Sequence, residues 1–202
     1  LVARQVRAVI EDIPPAAAKT GVLGNAAIVE QVATLAAGFA FPLVVDPVMV
    51  SKHGAPLLSD EGRRVFREKL LPRAFLLTPN LPEAGALAGF EVRNLAGMRL
   101  AAERILDLGP GAVLIKGGHL EGRAVDFLLD RQGWREYSAP RLDTPHTHGT
   151  GCTYAAAITS ELAKGTPLGE AVERAKRFIT EAIRTSPHLG GGCGPVNHHA
   201  RI

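Results

Sequence analysis

The sequence predicts an α/β fold: a doubly wound, mainly parallel sheet flanked by helices, with a β-hairpin added to the sheet. Short apolar runs at 42–46, 74–78 and 112–117 are too continuous for one-sided strands and suit strands buried on both faces. Helical patterns separate them, and that alternation argues for parallel strands joined by crossovers. A late pair of β-rich runs then flanks Arg131, Gln132 and Gly133, which reads as a hairpin.

The chain opens "LVARQVRAVIEDI", with Leu1, Val2, Val6, Ile10 and Ile13 near helical spacing and no initiating Met. It is expected to begin inside a helix, and the natural protein to extend further toward its N-terminus. "AAAKTGVL" (16–23) is the weakest strand candidate. A helix over 25–39 is capped by Asn25, and one over 59–71 by Ser59 with Asp60 and Glu61 in its first turn, as the helix dipole prefers. After the strand at 74–78, "TPNLPEA" opens another helix on Asn80. A helix over 94–109 ends on Gly109, a plausible C-cap. Beyond the hairpin, helices are expected over 150–164 and 167–185, the second with Pro167 early in its first turn. The Gly-rich tail "GGGCGPVNHHARI" cannot be helix. With no repeat and no linker, residues 1–202 read as one domain.

Composition narrows the function classes. The 23 Lys and Arg against 20 Asp and Glu leave a charge of +3, scattered, with few aromatic residues. A nucleic-acid groove shows clustered charge and stacking rings, so no nucleic-acid partner is expected. No run is long enough to span a membrane, and no signal-peptide pattern opens the chain. Two cysteines, Cys152 and Cys193, make no disulfide framework and fit a reducing cytoplasm.

In open α/β sheets ligands bind beyond the carboxyl ends of the strands. Reading those ends yields Asp46, then Thr78 and Asn80, then Lys116, Gly117, Gly118 and His119. Asp46 and Glu83 are oxygen donors suited to magnesium, which takes one or two carboxylates plus phosphates and waters. Glu83 also suits a plain first-turn role in a capped helix. Lys116 with its two glycines is placed to neutralise phosphate, or is a surface lysine before a turn. In "HGTGCTYAAA" (148–157), Gly149, Thr150 and Gly151 lead into an Ala-rich helix, where turned amides and the helix dipole make an anion site. A plain glycine cap, a zinc site on His146, His148 and Cys152, and a Cys152–His119 hydrolase pair are the competing readings. Asp126 and Trp134 in the hairpin read as structural. Together the anion turn, carboxylates and lysine fit phosphoryl transfer from a nucleotide. The absence of GxxxxGK(S/T) argues against a P-loop enzyme.

"VVDPVM", "LLTPNLPEA", "LIKGGH", "THGTGCT" and "GPVNH" resemble, in this order, the hydroxymethylpyrimidine/phosphomethylpyrimidine kinases of thiamine biosynthesis, members of the ribokinase-like superfamily. The resemblance spans essentially the whole chain, and its specificity lies in the conjunction of motifs. It implies a ribokinase-like fold using ATP and Mg2+, as a cytoplasmic homodimer. It implies phosphorylation of 4-amino-5-hydroxymethyl-2-methylpyrimidine and then of its monophosphate. By position, Gly149, Thr150 and Gly151 match the anion hole for the moving phosphoryl. Cys152 stands where sugar kinases of the superfamily carry an aspartate base, at a helix start expected to favour its thiolate. Asp46 and Glu83 match metal-side positions, and Lys116 the phosphate-side lysine. Thr78, Asn80 and Gly118 fall on the nucleotide side, Val22 and Val48 on the pyrimidine pocket. The family's opening strand with its D-x-S-G-G-A-G segment, and a pyrimidine-binding Gln, have no counterpart here. The alternatives are pyridoxal kinase, which usually shows Asp in the slot of Cys152, and, for a chain naturally this short, a non-catalytic nucleotide-binding or interaction module.

Overall fold

A computed structural model of the chain describes residues 1–50, 55–118 and 122–202. Four parallel strands, β1 (Ala18–Thr20), β2 (Leu43–Val45), β3 (Leu76–Leu77) and β4 (Val113–Ile115), lie side by side in chain order. The hairpin strands extend the same sheet, β5 (Ala124–Asp130) pairing antiparallel to β4 and β6 (Gly133–Ala139) antiparallel to β5. Each strand is shorter than its apolar run because the flanking residues leave the ladder to build the sheet's edges.

The two-residue period of these strands sorts their side chains between two cores. Val45, Leu77, Val113, Ile115 and Phe127 pack on one face. There they meet α2 (Ala26–Ala36), α4 (Leu81–Ala88), α5 (Leu95–Leu106) and the segment around Phe66, Leu70 and Leu71. Val44, Leu76, Leu114 and Leu128 pack on the other, under α6 (Thr150–Ala163) and α7 (Leu168–Arg184). Helices therefore cover both faces, as the continuous apolar runs require.

Local chemistry sets the helix starts. Asn25, Ser59, Asn80 and Asn94 each accept an amide of the first turn through the side chain. The helix expected over 59–71 is not uniform. After α3 (Asp60–Val65) it widens, so that Leu71 N–H bonds to Phe66 O, and then tightens over Leu71–Arg73. Pro72 has no N–H to continue the ladder, while Phe66, Leu70 and Leu71 all bury. α5 ends at Leu106, before Gly109, whose φ of 109° instead shapes the turn that follows. Pro167 caps α7 from outside rather than standing within its first turn. The N-terminal helix α1 (Val2–Asp12) forms as expected and buries none of its residues.

A second buried pair ties the hairpin to the sheet and to α7. Asp126 accepts Gly117 N–H at 3.0 Å and Lys176 Nζ at 2.7 Å, with only 2% of Asp126 and 9% of Lys176 exposed. Gly117 must be glycine, since a Cβ there would lie 1.9 Å from Val125 O. Removing one member of such a pair strands a buried charge. Asp126→Ala is therefore expected to lower unfolding stability by about 3–5 kcal/mol in a denaturant titration. A loss below about 1 kcal/mol would show that solvent reaches Lys176 instead.

Candidate active site

The same alternation that builds the cores arms one edge of the sheet. Lys19, Asp46, Thr78 and Lys116 all have the parity of Val44, Leu76 and Leu114, so they stand on the face covered by α6. They occur at the carboxyl ends of β1 to β4, where α6 begins.

Asp46 is the centre of this group. It is 2% exposed, and its Oδ1 accepts Lys116 Nζ at 2.8 Å and Thr78 Oγ1 at 3.2 Å. Its Oδ2 is buried with no hydrogen-bond partner. Lys116 is held by its own backbone, which pairs with Asn80 and donates to Pro79 O at 2.8 Å. Asn80 and Glu83 form a capping box: the Asn80 side chain accepts Glu83 N–H at 2.9 Å, and Glu83 Oε2 accepts Asn80 N–H at 2.8 Å. The first-turn role of Glu83 is thus real, yet it coexists with a place beside Asp46. Burial pushes the Glu83 carboxyl up to about 7, and Lys116 and the Asn80 amide only partly oppose this.

Above these groups, Gly149 adopts φ 82°, a left-handed conformation that glycine takes without strain, and so turns the chain into α6. No side chain caps α6. The first-turn amides of Gly151 and Cys152 are therefore available to an anion. Lys116 reaches this turn: its Nζ lies 3.3 Å from where a Cβ on Gly151 would stand. Thr150 is turned inward, its hydroxyl donating to Thr147 O at 2.8 Å.

Cys152 is exposed at the mouth of the turn. Contrary to the expectation of a favoured thiolate, its thiol is pushed up, first by the protein around it and then by the Asp46 charge. Lys19 and Lys116 pull the other way without prevailing.

The remaining candidates are dispersed around this centre. Val22 follows β1 and is 56% exposed, while half-buried Val48 donates its amide to Asp46 O at 2.9 Å. Gly118 is exposed, and its carbonyl accepts from Arg141 at 2.9 Å. His119 lies outside the described residues. In the zinc reading, one ring nitrogen of His146 is already engaged by the tail. His146 Nδ1 accepts Gly194 N–H at 3.2 Å, and the His148 backbone pairs with Gly194 and Val196. Among the described residues no cluster of three or more His, Cys, Asp or Glu suits a metal. One or two carboxylates suit magnesium completed by phosphates and water, and the unpartnered Asp46 Oδ2 fits that demand. The motifs did not single out Lys19; only its parity with Asp46 and Lys116 marks it.

Uncapped amides, lysines and carboxylates thus converge at one edge of the sheet, an arrangement that suits the demands of phosphoryl transfer. Fold and site define a phosphotransferase. The chain belongs to the phosphomethylpyrimidine kinase family, whose model matches residues 1–197. It is 50% identical over 194 residues to the hydroxymethylpyrimidine/phosphomethylpyrimidine kinase of Streptomyces coelicolor, covering 96% of this chain and 72% of that protein. The Bacillus subtilis enzyme of the same name is 42% identical over 200 residues, covering 98% and 74%. Among solved structures, an ADP complex of Bacillus subtilis pyridoxal kinase superimposes with a TM-score of 0.90 at 38% identity, covering 98% of this chain and 75% of that one.

The buried Glu83 has a consequence for stability. Its folded value lies above the ordinary 4.5, so the folded protein binds this proton more tightly than the unfolded chain. The stabilisation is complete below about pH 4.5 and is lost as pH rises through about 7. In metal-free protein, stability is expected to fall by on the order of 3 kcal/mol across that window. Glu83→Gln should flatten this slope in Tm measured against pH, and identical slopes would remove the assignment.

Proposed function

We propose that the chain is a single-domain, ATP-dependent kinase that phosphorylates 4-amino-5-hydroxymethyl-2-methylpyrimidine at its hydroxymethyl group and then phosphorylates the resulting monophosphate to the diphosphate. The observation that carries it is Lys116, bonded to buried Asp46 and lying against the uncapped turn at Gly151. A transferring phosphoryl needs amides, a cation and a metal-side carboxylate within a few ångströms of one point. The resemblance and the named relatives support the pyrimidine as acceptor.

In this reading the turn Gly149–Gly151 receives the oxygens of the moving phosphoryl, and Lys116 neutralises its developing charge. Thr78, Asn80 and Gly118 line the nucleotide side; the side chains of Thr78 and Asn80 hold Asp46 and Glu83 in place. Asp46 and Glu83 would hold Mg2+, which supplies charge neutralisation to the phosphates when bound. Val22 and Val48 flank the pyrimidine, and Cys152 receives the proton of the attacking hydroxyl. The resemblance further supports a homodimer, which light scattering on the purified protein tests, and the two free cysteines fit a reducing cytoplasm. Pyridoxal is the competing acceptor, favoured by the structural likeness to the Bacillus subtilis pyridoxal kinase. Higher identity to the pyrimidine kinases favours the pyrimidine, and turnover of the two acceptors side by side decides.

Chelation is expected to abolish turnover and added Mg2+ to restore it. Asp46→Asn should lower kcat more than it weakens pyrimidine binding. Unchanged turnover in that variant would end the metal-side assignment.

Cys152 is tested by the two steps. The alcohol must lose a proton, and a positioned base contributes about 10²–10⁴-fold to such a step. The monophosphate, with a second pKa of about 6, is already ionised near pH 8. Cys152→Ala should therefore cripple the first step far more than the second. Because the thiol is pushed up, the wild-type first step should accelerate between about pH 7 and 9, and the variant should lose that slope. Equal losses in both steps would leave Cys152 a packing residue.

A further inference from the structure

Resting on the kinase reading above, we propose that Lys19 is a substrate-binding residue of the second phosphorylation, its ammonium receiving the phosphate that the monophosphate acceptor already carries. The enzyme so read must accept a neutral alcohol and then the dianionic ester of the same alcohol. The Asp46–Lys116 pair serves the donor phosphates in both steps. An acceptor phosphate needs a cation of its own, on the side of the cleft where the pyrimidine lies.

Lys19 is placed to be that cation. It lies on β1, paired in register with Val44 of β2, two residues before Asp46. Its parity puts it on the face of Asp46 and Lys116, beneath the start of α6. The order across the sheet is therefore Lys19 on β1, Asp46 after β2 and Lys116 after β4. The side chain bends toward the strand's carboxyl end, since its Nζ lies 3.6 Å from where a Cβ on Gly21 would stand. Val22, on the proposed pyrimidine side, is the next residue. The Lys19 charge acts on the Cys152 thiol, lowering its pKa.

Lys19 also differs from its neighbours in lacking a partner. The partly or fully buried lysines Lys116 and Lys176 each face a carboxylate at under 3 Å, at 2.8 and 2.7 Å. Among the described residues, half-buried Lys19 makes no ion pair or hydrogen bond. A cation drawn partly out of water without a counter-charge is a cost that folding does not recover. An incoming dianion recovers it.

The step balances without a further group. An oxygen of the acceptor phosphate bonds to the γ-phosphorus of ATP. The bond from that phosphorus to the bridging oxygen breaks, and its electron pair leaves on ADP. The ionised acceptor has no proton to surrender, so Lys19 binds and orients while Cys152 is idle. In the first step the roles reverse.

The test is to assay the two acceptors separately with wild type, Lys19→Ala, Lys19→Met and Lys19→Arg. Losing one charge-assisted hydrogen bond should lower kcat/KM for the monophosphate by roughly ten- to a hundredfold, mainly through KM. The loss with the alcohol should be much smaller, and that retained activity shows the variants are folded. Lys19→Arg should restore most of the monophosphate activity, and the rise in Tm that the monophosphate gives wild type should shrink in Lys19→Ala and Lys19→Met. Equal losses with both acceptors, or an unchanged KM for the monophosphate, would overturn the role of Lys19. A wild-type protein that turns over neither pyrimidine would overturn the kinase reading itself, which separates the two failures.

Discussion

The ion pair between Lys116 and Asp46 spans β3 at 2.8 Å, with both groups largely out of solvent. The site depends on it. Asp46 alone would be a buried carboxylate facing burial-strained Glu83, and like charges there would drive a proton onto one of them. Lys116 opposes this only in part, since Glu83 is still pushed up to about 7, and it leaves Asp46 Oδ2 without a hydrogen-bond partner. The pair is thus satisfied enough to fold and unsatisfied enough to bind. In the proposed reading phosphates would draw the ammonium and a divalent cation would draw the carboxylate.

The pair can form only because the surrounding backbone is fixed. β3 contributes two residues to the ladder, and the long Lys116 side chain reaches past its end to Asp46. The Asn80–Glu83 capping box pins the exit of β3, and the Asn80 backbone pairs with Lys116. On the far side, Asp126 holds Gly117 N–H and is itself held by Lys176. A lysine at the edge of a sheet is ordinarily mobile; this one is anchored on both flanks through its neighbours' amides.

The turn above the pair is fixed from another direction. The tail returns along it, with Gly194 and Val196 bonded to the His148 backbone and His198 Nε2 3.1 Å from Thr153 Oγ1. Val196 is 1% exposed and joins the core under α6 and α7. The glycine-rich composition that rules out helix here is what lets the segment pass closely over the Gly149–Gly151 turn, a Cβ on Gly194 falling 2.5 Å from His146 Nδ1. Three polar anchors and one buried valine hold the start of α6 in place of a capping side chain, leaving its amides to a ligand.

The sequence by itself determined what local chemistry decides. Continuous apolar runs fixed the parallel strands, and Asn25, Ser59 and Asn80 marked helix starts because a cap acts within three residues. Asp46, Lys116 and the Gly149–Gly151 turn were legible because strand ends and glycine runs have recognisable neighbours. Only the tertiary structure decided which distant groups share a space. Asp126 and Lys176 are 50 residues apart in the chain, and no local pattern pairs them. The Cys152 thiol is pushed up rather than down, first by the protein packed around it and then by Asp46, over a hundred positions away in the chain. Lys19 sat in the weakest strand candidate, and its place in the site follows from the register of β1 on β2. Burial and Coulomb energy depend on separation in space, and once a sheet brings strands together, separation along the chain carries no information about either.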